Sequence, residues 1–374
     1  TIGGVYVPAG VYINNAMIKR ASITSAQIGS VDADTINTGF LDAGLAWWSG
    51  DYDRVFFIDA PRDSRMVRVV EWDIVSLSTR VVFEEADDIT VRLRHEFLSP
   101  PLIVPLPETD ELIWFSERSG WGHLYLYNLL TGELKHQITG GQSGGEWLVR
   151  DILHFDSEKR ELLLQTASRD SNINPYYRDI CKVNIDTGAI IALVAGDFEC
   201  TVNQPKSIST NFYAAFSGCN RRYDRPSGVS PTGEYILFTQ SRVDTVPVSF
   251  LINRDGETLS IVETMDISGL PDDWQWPETV KLKASDNTTD IHAVVFRPPD
   301  FSPEESYPVV DFISSMRGTC SLPVSSFKNS PFYGHDYIGA AALAALGFIV
   351  VTIAGRGTPN RAKAFFAHHY GDHA

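Results

Sequence analysis

The sequence is poor in several things that would have assigned it quickly. It has four cysteines in 374 residues, Cys181, Cys200, Cys219 and Cys320, with no CxxC spacing and no nearby histidine pair, so a zinc module is not indicated. Only Cys200 and Cys219 flank a segment of strand and turn character; a disulfide between them is allowed in an oxidising compartment, and four unpaired thiols are the equal alternative. Basic residues are scarce, 31 Lys and Arg against 47 Asp and Glu, for a formal net charge of -16. A surface for nucleic acid needs clustered cations, and this chain lacks them. No apolar run approaches the roughly 20 residues that span a bilayer, and the first residues show no basic stretch followed by an apolar core. The chain therefore names no compartment, and no membrane segment or cofactor motif is expected.

What is present begins with a change of texture. Residues 1 to 43 are β-branched and repetitive, with Ile at 13, 18, 23, 28 and 36 separated by small polar residues, which suits short strands or a fibrous repeat. Residues 44 to 272 are a succession of short β-type runs: RVFFIDA, RMVRVVEWDI, TRVVFEE, ELIWFSE, HLYLYNL, ELLLQTA, ICKVNI, IIALVAG, YILFTQS and PVSFLIN. Turn residues fall between them, including Thr-Gly, Asp-Thr-Gly, Pro-Thr-Gly and Arg-Asp-Gly. The exit turn after HLYLYN returns after KVN and LIN, and that recurrence favours propeller blades of about four strands over a sandwich. Residues 273 to 374 change again. Pro308–Ile313 and Phe348–Ile353 are continuous apolar strands around an Ala- and Leu-rich helix over Tyr337–Leu346, which predicts a parallel sheet covered on both faces. Gly347 stands where a helix C′ glycine belongs.

Two resemblances rest on these residues. Ile18-Lys19-Arg20-Ala21-Ser22-Ile23-Thr24-Ser25-Ala26-Gln27-Ile28-Gly29 resembles the repeat-like segments of tail-tip host-specificity proteins of long-tailed phages, which implies a fusion; the alternative is an unusual first strand segment of the next domain. SERSGWGHLYLYNLLTGELKHQIT, YILFTQSRVDTVPVSFLINRDG, ASDNTTDIHAVVFRPPDFSPEESYPVV and ALAALGFIVVTIAGRGTPNRAKAFFAHHYG resemble, in order, the dipeptidyl peptidase IV branch of the prolyl oligopeptidase family. That resemblance implies a mainly β chain: a partial β-propeller followed by the N-terminal part of an α/β-hydrolase domain. It also implies a parent that cleaves dipeptides from peptide substrates by a serine mechanism, with proline or alanine preference, usually as a homodimer.

The chemistry is harder to place. A literal GxSxG occurs at Gly141–Gly145, but it follows no buried strand and precedes no amphipathic helix, so Ser143 is not read as a nucleophile. The resemblance places the serine, the acid and the histidine beyond Ala374, so no catalytic residue is assigned here and the chain alone is expected to be inactive. Glu84-Glu85 is read as a solvated turn rather than a clamp for a substrate amine. The oxyanion position after the first α/β strand is Ser314 where the family has a tyrosine, with Tyr333 as a possible substitute; losing one such donor costs on the order of 10²- to 10³-fold in rate. The Asp-Gly-Arg-Gly of the family stands here as Ala354-Gly355-Arg356-Gly357, which keeps Arg356 to tie the loop by an ion pair and loses the carboxylate at 354. His368, His369, Asp372 and His373 are read as a solvated helix end rather than a metal site, and Trp47, Trp48, Trp114, Trp121 and Trp147 as packing between blades. Asn287-Thr288-Thr289 fits a glycosylation acceptor, a motif common by chance. The rival reading is a non-catalytic propeller module that presents an interaction surface.

Overall fold

A computed structural model describes residues 46–60, 64–95, 101–141, 145–202, 228–312, 320, 322–328, 337–368 and 370. The chain is mainly β, and its residues group into two compact units, one of 1–94, 98–141 and 205–225, the other of 95–97, 142–204 and 226–374. The N-terminal phage-like segment lies outside the described residues.

The first unit holds two four-stranded antiparallel meanders. One runs β1 (Ala46–Trp48), β2 (Arg54–Asp59), β3 (Met66–Asp73), β4 (Ser78–Ala86); the other runs β5 (Val104–Leu106), β6 (Glu111–Ser116), β7 (His123–Asn128), β8 (Leu134–Gln137). Every residue of β6 is buried, so this strand is covered on both faces and its continuous apolar sequence follows from that. Phe56, Ile58, Val69, Leu93, Leu112, Trp114 and Leu129 form its core. Each such fully buried large side chain contributes about 1.5–3 kcal/mol relative to exposure.

The second unit holds two more meanders and a mixed sheet. The meanders are β9 (Leu148–Asp156), β10 (Glu161–Ala167), β11 (Arg178–Asn184), β12 (Ile190–Val194), and β13 (Glu199–Val202), β14 (Tyr235–Arg242), β15 (Thr245–Asn253), β16 (Thr258–Thr264). These successive four-stranded sheets are those of a partial β-propeller. The outermost strand β16 is exposed along its whole length, with Leu259, Ile261 and Val262 among its side chains.

The recurring exit turn has a common mechanism. Asn128 Oδ1 accepts from the Leu130 and Thr131 amides, Asn184 Oδ1 from Asp186 and Thr187, and Asn253 Oδ1 from Asp255 and Glu257. Each asparagine closes the step from the third to the fourth strand of its sheet by satisfying two turn amides. Gly132, Gly188 and Gly256 follow at φ of 79°, 69° and 86°, where a side chain is strained. At Gly132 a Cβ would also stand 2.0 Å from the Val82 carbonyl oxygen.

The last sheet corrects one expectation. Strands β17 (Glu278–Lys283), β18 (Asp290–Phe296), β19 (Val309–Asp311) and β20 (Ile349–Ala354) pair in the order β17, β18, β20, β19. Only β19 and β20 are parallel; β18 runs antiparallel to both β17 and β20, so the sheet is mixed. The tight turn at 284–289 between β17 and β18 forces that antiparallel pair, since a hairpin reverses direction. Helix α1 (Tyr337–Ala345) crosses between β19 and β20 and buries Tyr337, Ala340 and Ala344. It ends at Gly347, whose φ is 97° and whose amide donates to the Ala344 carbonyl at 2.9 Å. The short helix α2 (Lys363–Ala367) buries Phe365 and Phe366.

Candidate functional site

The functional geometry of the second unit gathers around the connection between β10 and β11. Ala167 and Arg178 are register partners, so residues 168–177 loop out of the hairpin. The loop holds itself by short-range bonds. Asp170 Oδ1 accepts from the Asn172 amide at 2.9 Å and its Nδ2 at 3.0 Å, and Asn174 Oδ1 accepts from the Tyr176 amide at 3.1 Å. With Ala195 and Gly196, which follow β12, it lines a half-open cavity of about 420 Å³.

Two arginines stand at the base of this loop, Arg169 matched to the half-buried Asp179 and Arg178 to the buried Glu199. Arg169 Nε donates to Asp179 Oδ2 at 2.7 Å, and the Thr166 hydroxyl donates to the other oxygen. Burial still raises the Asp179 carboxyl above its ordinary range, against the pull of Arg169. Glu199 is fully buried and accepts from the Arg178 amide at 2.9 Å and from Arg178 Nε at 2.7 Å. Burial alone would raise Glu199; the Arg178 charge and hydrogen bonds outweigh it and hold the carboxyl below its usual value. Burial pushes the Tyr177 hydroxyl, which lines the cavity, up to about 12, so it is a neutral donor near neutrality.

The neighbouring Tyr176 points the other way, into the core of the mixed sheet, where it packs with Val294, Phe296 and Val350. Its ring meets His292 edge-on at 5.9 Å, and the Arg361 guanidinium lies 5.8 Å from its centroid. Arg361 also covers Phe365 at 4.7 Å and donates to the Asp290 carbonyl at 3.4 Å. Burial, followed by the Arg361 and Lys281 charges, lowers His292 to about 4.

The residues singled out from the sequence are placed as follows. Arg356 Nη1 donates to Asp286 Oδ2 at 3.0 Å and its Nη2 to Ser285 Oγ at 3.2 Å, which ties the turn after β20 to the β17–β18 hairpin. Asp286 is held below the ordinary carboxylate range first by the Thr289 hydroxyl and amide, then by the Thr288 amide. Ala354 is fully buried at the end of β20. Cys200, proposed to pair with Cys219, is a free thiol on β13 with no exposed surface, and burial raises its pKa. Cys219, Ser143, Ser314, Tyr333, His369, Asp372 and His373 lie outside the described residues. In sequence the GxSxG stretch falls between β8 and β9, and β8 has no buried residue. Among the described residues no group of three His, Cys, Asp or Glu could hold a metal, and no helix is long and apolar enough to cross a membrane.

One sequence reading fails on geometry. Glu84 and Glu85 are not a solvated turn but lie within β4. Glu85 accepts from Trp114 Nε1 at 2.8 Å, Ser116 Oγ at 2.5 Å and Arg118 Nη2 at 2.6 Å, so three donors consume its oxygens inside the first unit. Glu84 pairs with Arg68 at 3.4 Å. Trp114 is core, Trp147 is buried, Trp47 stacks on Phe56 at 5.8 Å, and Trp48 is 45% exposed.

The 168–179 loop was missed by sequence reasoning. Its polar, turn-rich composition resembles any surface connection, and only the position of Ala195 and Gly196 turns it into a cavity wall.

Comparison with known proteins places this architecture. A family model described as the dipeptidyl peptidase IV N-terminal region matches residues 19–223. A probable dipeptidyl peptidase 4 of Aspergillus fumigatus is 25% identical over 360 residues, covering 95% of this chain and 41% of that protein. Dipeptidyl peptidase 8 of Mus musculus is 23% identical over 323 residues, covering 80% of this chain and 33% of that protein. Among solved structures, a putative dipeptidyl aminopeptidase IV from Bacteroides ovatus superposes with a TM-score of 0.60 at 20% identity, over 87% of this chain and 42% of that one. Dipeptidyl peptidase 4 of Porphyromonas gingivalis gives 0.58 at 18%, over 88% and 41%. The chain spans between one third and about two-fifths of the length of these relatives. Its repeated four-stranded sheets, their shared asparagine turns and the family match over more than half its length agree: the chain belongs to the dipeptidyl peptidase IV N-terminal region family.

Proposed function

We propose that this chain is the propeller portion, with the opening strands of an α/β-hydrolase domain, of a serine peptidase that releases dipeptides from peptide N-termini. The observations that carry the reading are the family match over residues 19–223 and the likeness to a probable dipeptidyl peptidase 4 over 95% of the chain, which takes in the mixed sheet. The crossover from β19 through α1 to the parallel β20 is the βαβ step with which an α/β sheet is built. Preference for proline or alanine at the second position, and assembly as a homodimer, are what the family leads one to expect of the parent. The Ser, Asp and His of the triad are assigned to no residue of this chain, so the chain by itself serves as substrate-enclosing scaffold rather than catalyst. The resemblance assigns the oxyanion role to Ser314, and Arg356 positions the turn that follows β20.

A second reading, a non-catalytic propeller module joined to a phage-like segment, draws on Ala354, a buried methyl where the family carries a carboxylate. The test is labelling of the purified chain with a fluorophosphonate alongside hydrolysis of a Gly-Pro chromogenic substrate. Neither labelling nor turnover is expected. A label mapped to Ser143 would overturn the assignment.

A further inference from the structure

The cavity beside the β10–β11 loop has a chemical character of its own. Four charged side chains line it, Arg169, Arg178, Asp170 and Asp179, and their formal charges cancel. They are not equally committed. Arg178 is turned onto Glu199 and Thr201 behind the wall, and Asp179 is consumed by Thr166 and Arg169. Arg169 spends only Nε on Asp179; among the described residues its two Nη groups have no acceptor, while its side chain is only 19% exposed. Asp170, the next residue, uses Oδ1 for Asn172, and its Oδ2 has no donor among the described residues. One positively and one negatively charged residue of the cavity wall thus keep hydrogen-bonding capacity unspent among the described residues, with Ile173 and Ala195 supplying apolar surface beside them.

We propose that this cavity is a binding site for a small zwitterion, a free amino acid or a dipeptide, with its carboxylate on the Nη edge of Arg169 and its ammonium on Asp170 Oδ2. The guanidinium edge matches a carboxylate in a planar, two-point geometry that a single-point cation does not offer. A simple anion is disfavoured because Asp170 and Asp179 face it, and a simple cation because Arg169 does; a ligand carrying both charges meets neither repulsion. A cavity of about 420 Å³ lies at the small end of ligand sites and fits this size class. Occupancy also has a structural route outward. Tyr177 lines the cavity while Tyr176 is locked beside His292 and Arg361 in the mixed sheet, so a ligand that orders the loop stabilises the contact between the two. The inference is independent of the peptidase reading, since it uses no triad and no substrate path.

Calorimetric titration of the 374-residue chain with L-leucine and with alanylalanine tests it, paired with leucinamide, which lacks the carboxylate, and N-acetyl-leucine, which lacks the ammonium. Saturable binding of leucine or of the dipeptide at millimolar concentration is expected, each blocked derivative weakening it by at least about tenfold; which zwitterion binds more tightly identifies the source. Asp170→Asn, on an exposed side chain, is expected to fold as the parent does and to lose about tenfold in affinity for leucine, while Arg169→Gln is checked by its melting curve before its loss of binding is credited. No saturation with either zwitterion, or equal binding of N-acetyl-leucine, would overturn the proposal.

Discussion

His292 and Ala354 are register partners across the antiparallel pair β18 and β20, both buried on the same face of the mixed sheet. The imidazole is held neutral chiefly by burial, and Ala354 presents only a methyl group to it. Directly opposed residues on one face are in side-chain contact range, so a carboxylate at 354 would add a second counter-charge to that of Asp290.

Restoring the carboxylate should therefore depend on pH. Ala354→Asp buries a charge opposite a neutral ring, and a loss of about 3 kcal/mol is expected at about pH 7.5. At about pH 5.5 the new carboxylate favours the imidazolium and the loss should shrink by half or more. Urea midpoints of parent and variant at the two pH values check this, and an equal loss at both would refute the pairing.

His292 also sets an acid limit for the parent. Its folded pKa of about 4 lies below the unfolded value of 6.5, so the unfolded chain binds the proton first. The native state keeps its full stability above about pH 6.5, loses it as pH falls toward 4, and loses no more from this group below that. The whole effect is on the order of 3 kcal/mol. His292→Phe should flatten the stability curve in this window. It should leave untouched a further loss at lower pH, where Asp156, held at about 2 chiefly by the Lys159 amide and Arg254 against the effect of burial, takes up its proton.

Glu199 and Arg178 form a buried pair whose halves are unequal to lose. Glu199→Ala leaves a guanidinium facing a dry space and should cost about 3–5 kcal/mol, whereas replacing both by apolar residues of similar volume should cost far less. A double-mutant cycle in urea measures the difference, which is the coupling itself.

At Gly132 the backbone, not the side chain, is decisive. Its φ of 79° and the 2.0 Å approach of the Val82 carbonyl leave no room for a methyl group. Gly132→Ala should lower the melting temperature of the first unit by several degrees, from a loss of about 1–3 kcal/mol, while Asn128→Ala should cost about 1 kcal/mol through its two freed amides.

Arg356→Gln should leave global stability nearly unchanged, because its Asp286 partner is solvated. The expected effect is local: faster hydrogen exchange over Gly355–Asn360 than in the parent. Unchanged exchange there would remove Arg356 from its positioning role.

How much of this could be read in the sequence follows from which residues had only one side to satisfy. ELIWFS, HLYLYN and ELLLQTA are buried on both faces, and their apolar runs identified them as strands. LVRDILHFD was passed over because Arg150 and Asp151 interrupt it, and TLSIVET and ETVKLK because an outer strand needs no apolar face. The asparagine turns were legible as a repeat, since their chemistry is local. Strand direction in the last sheet was not, because β18 takes its orientation from a hairpin and its neighbour from a register sixty residues away. The cavity was illegible for the same reason: Asp170 and Gly196 meet through the order of strands, and neither carries a local mark of it.

The outermost strand, β16, leaves one row of backbone donors and acceptors without a neighbouring strand among the described residues, between side chains as apolar as Ile261 and Val262. Such an edge invites lateral association with a second copy. What opposes it is long-range: copies of a chain carrying -16 repel before their edges meet, and added electrolyte shortens the reach of that repulsion to about 10 Å at 0.1 M. By this argument salt, usually added to keep a protein in solution, weakens the barrier that keeps such edges apart.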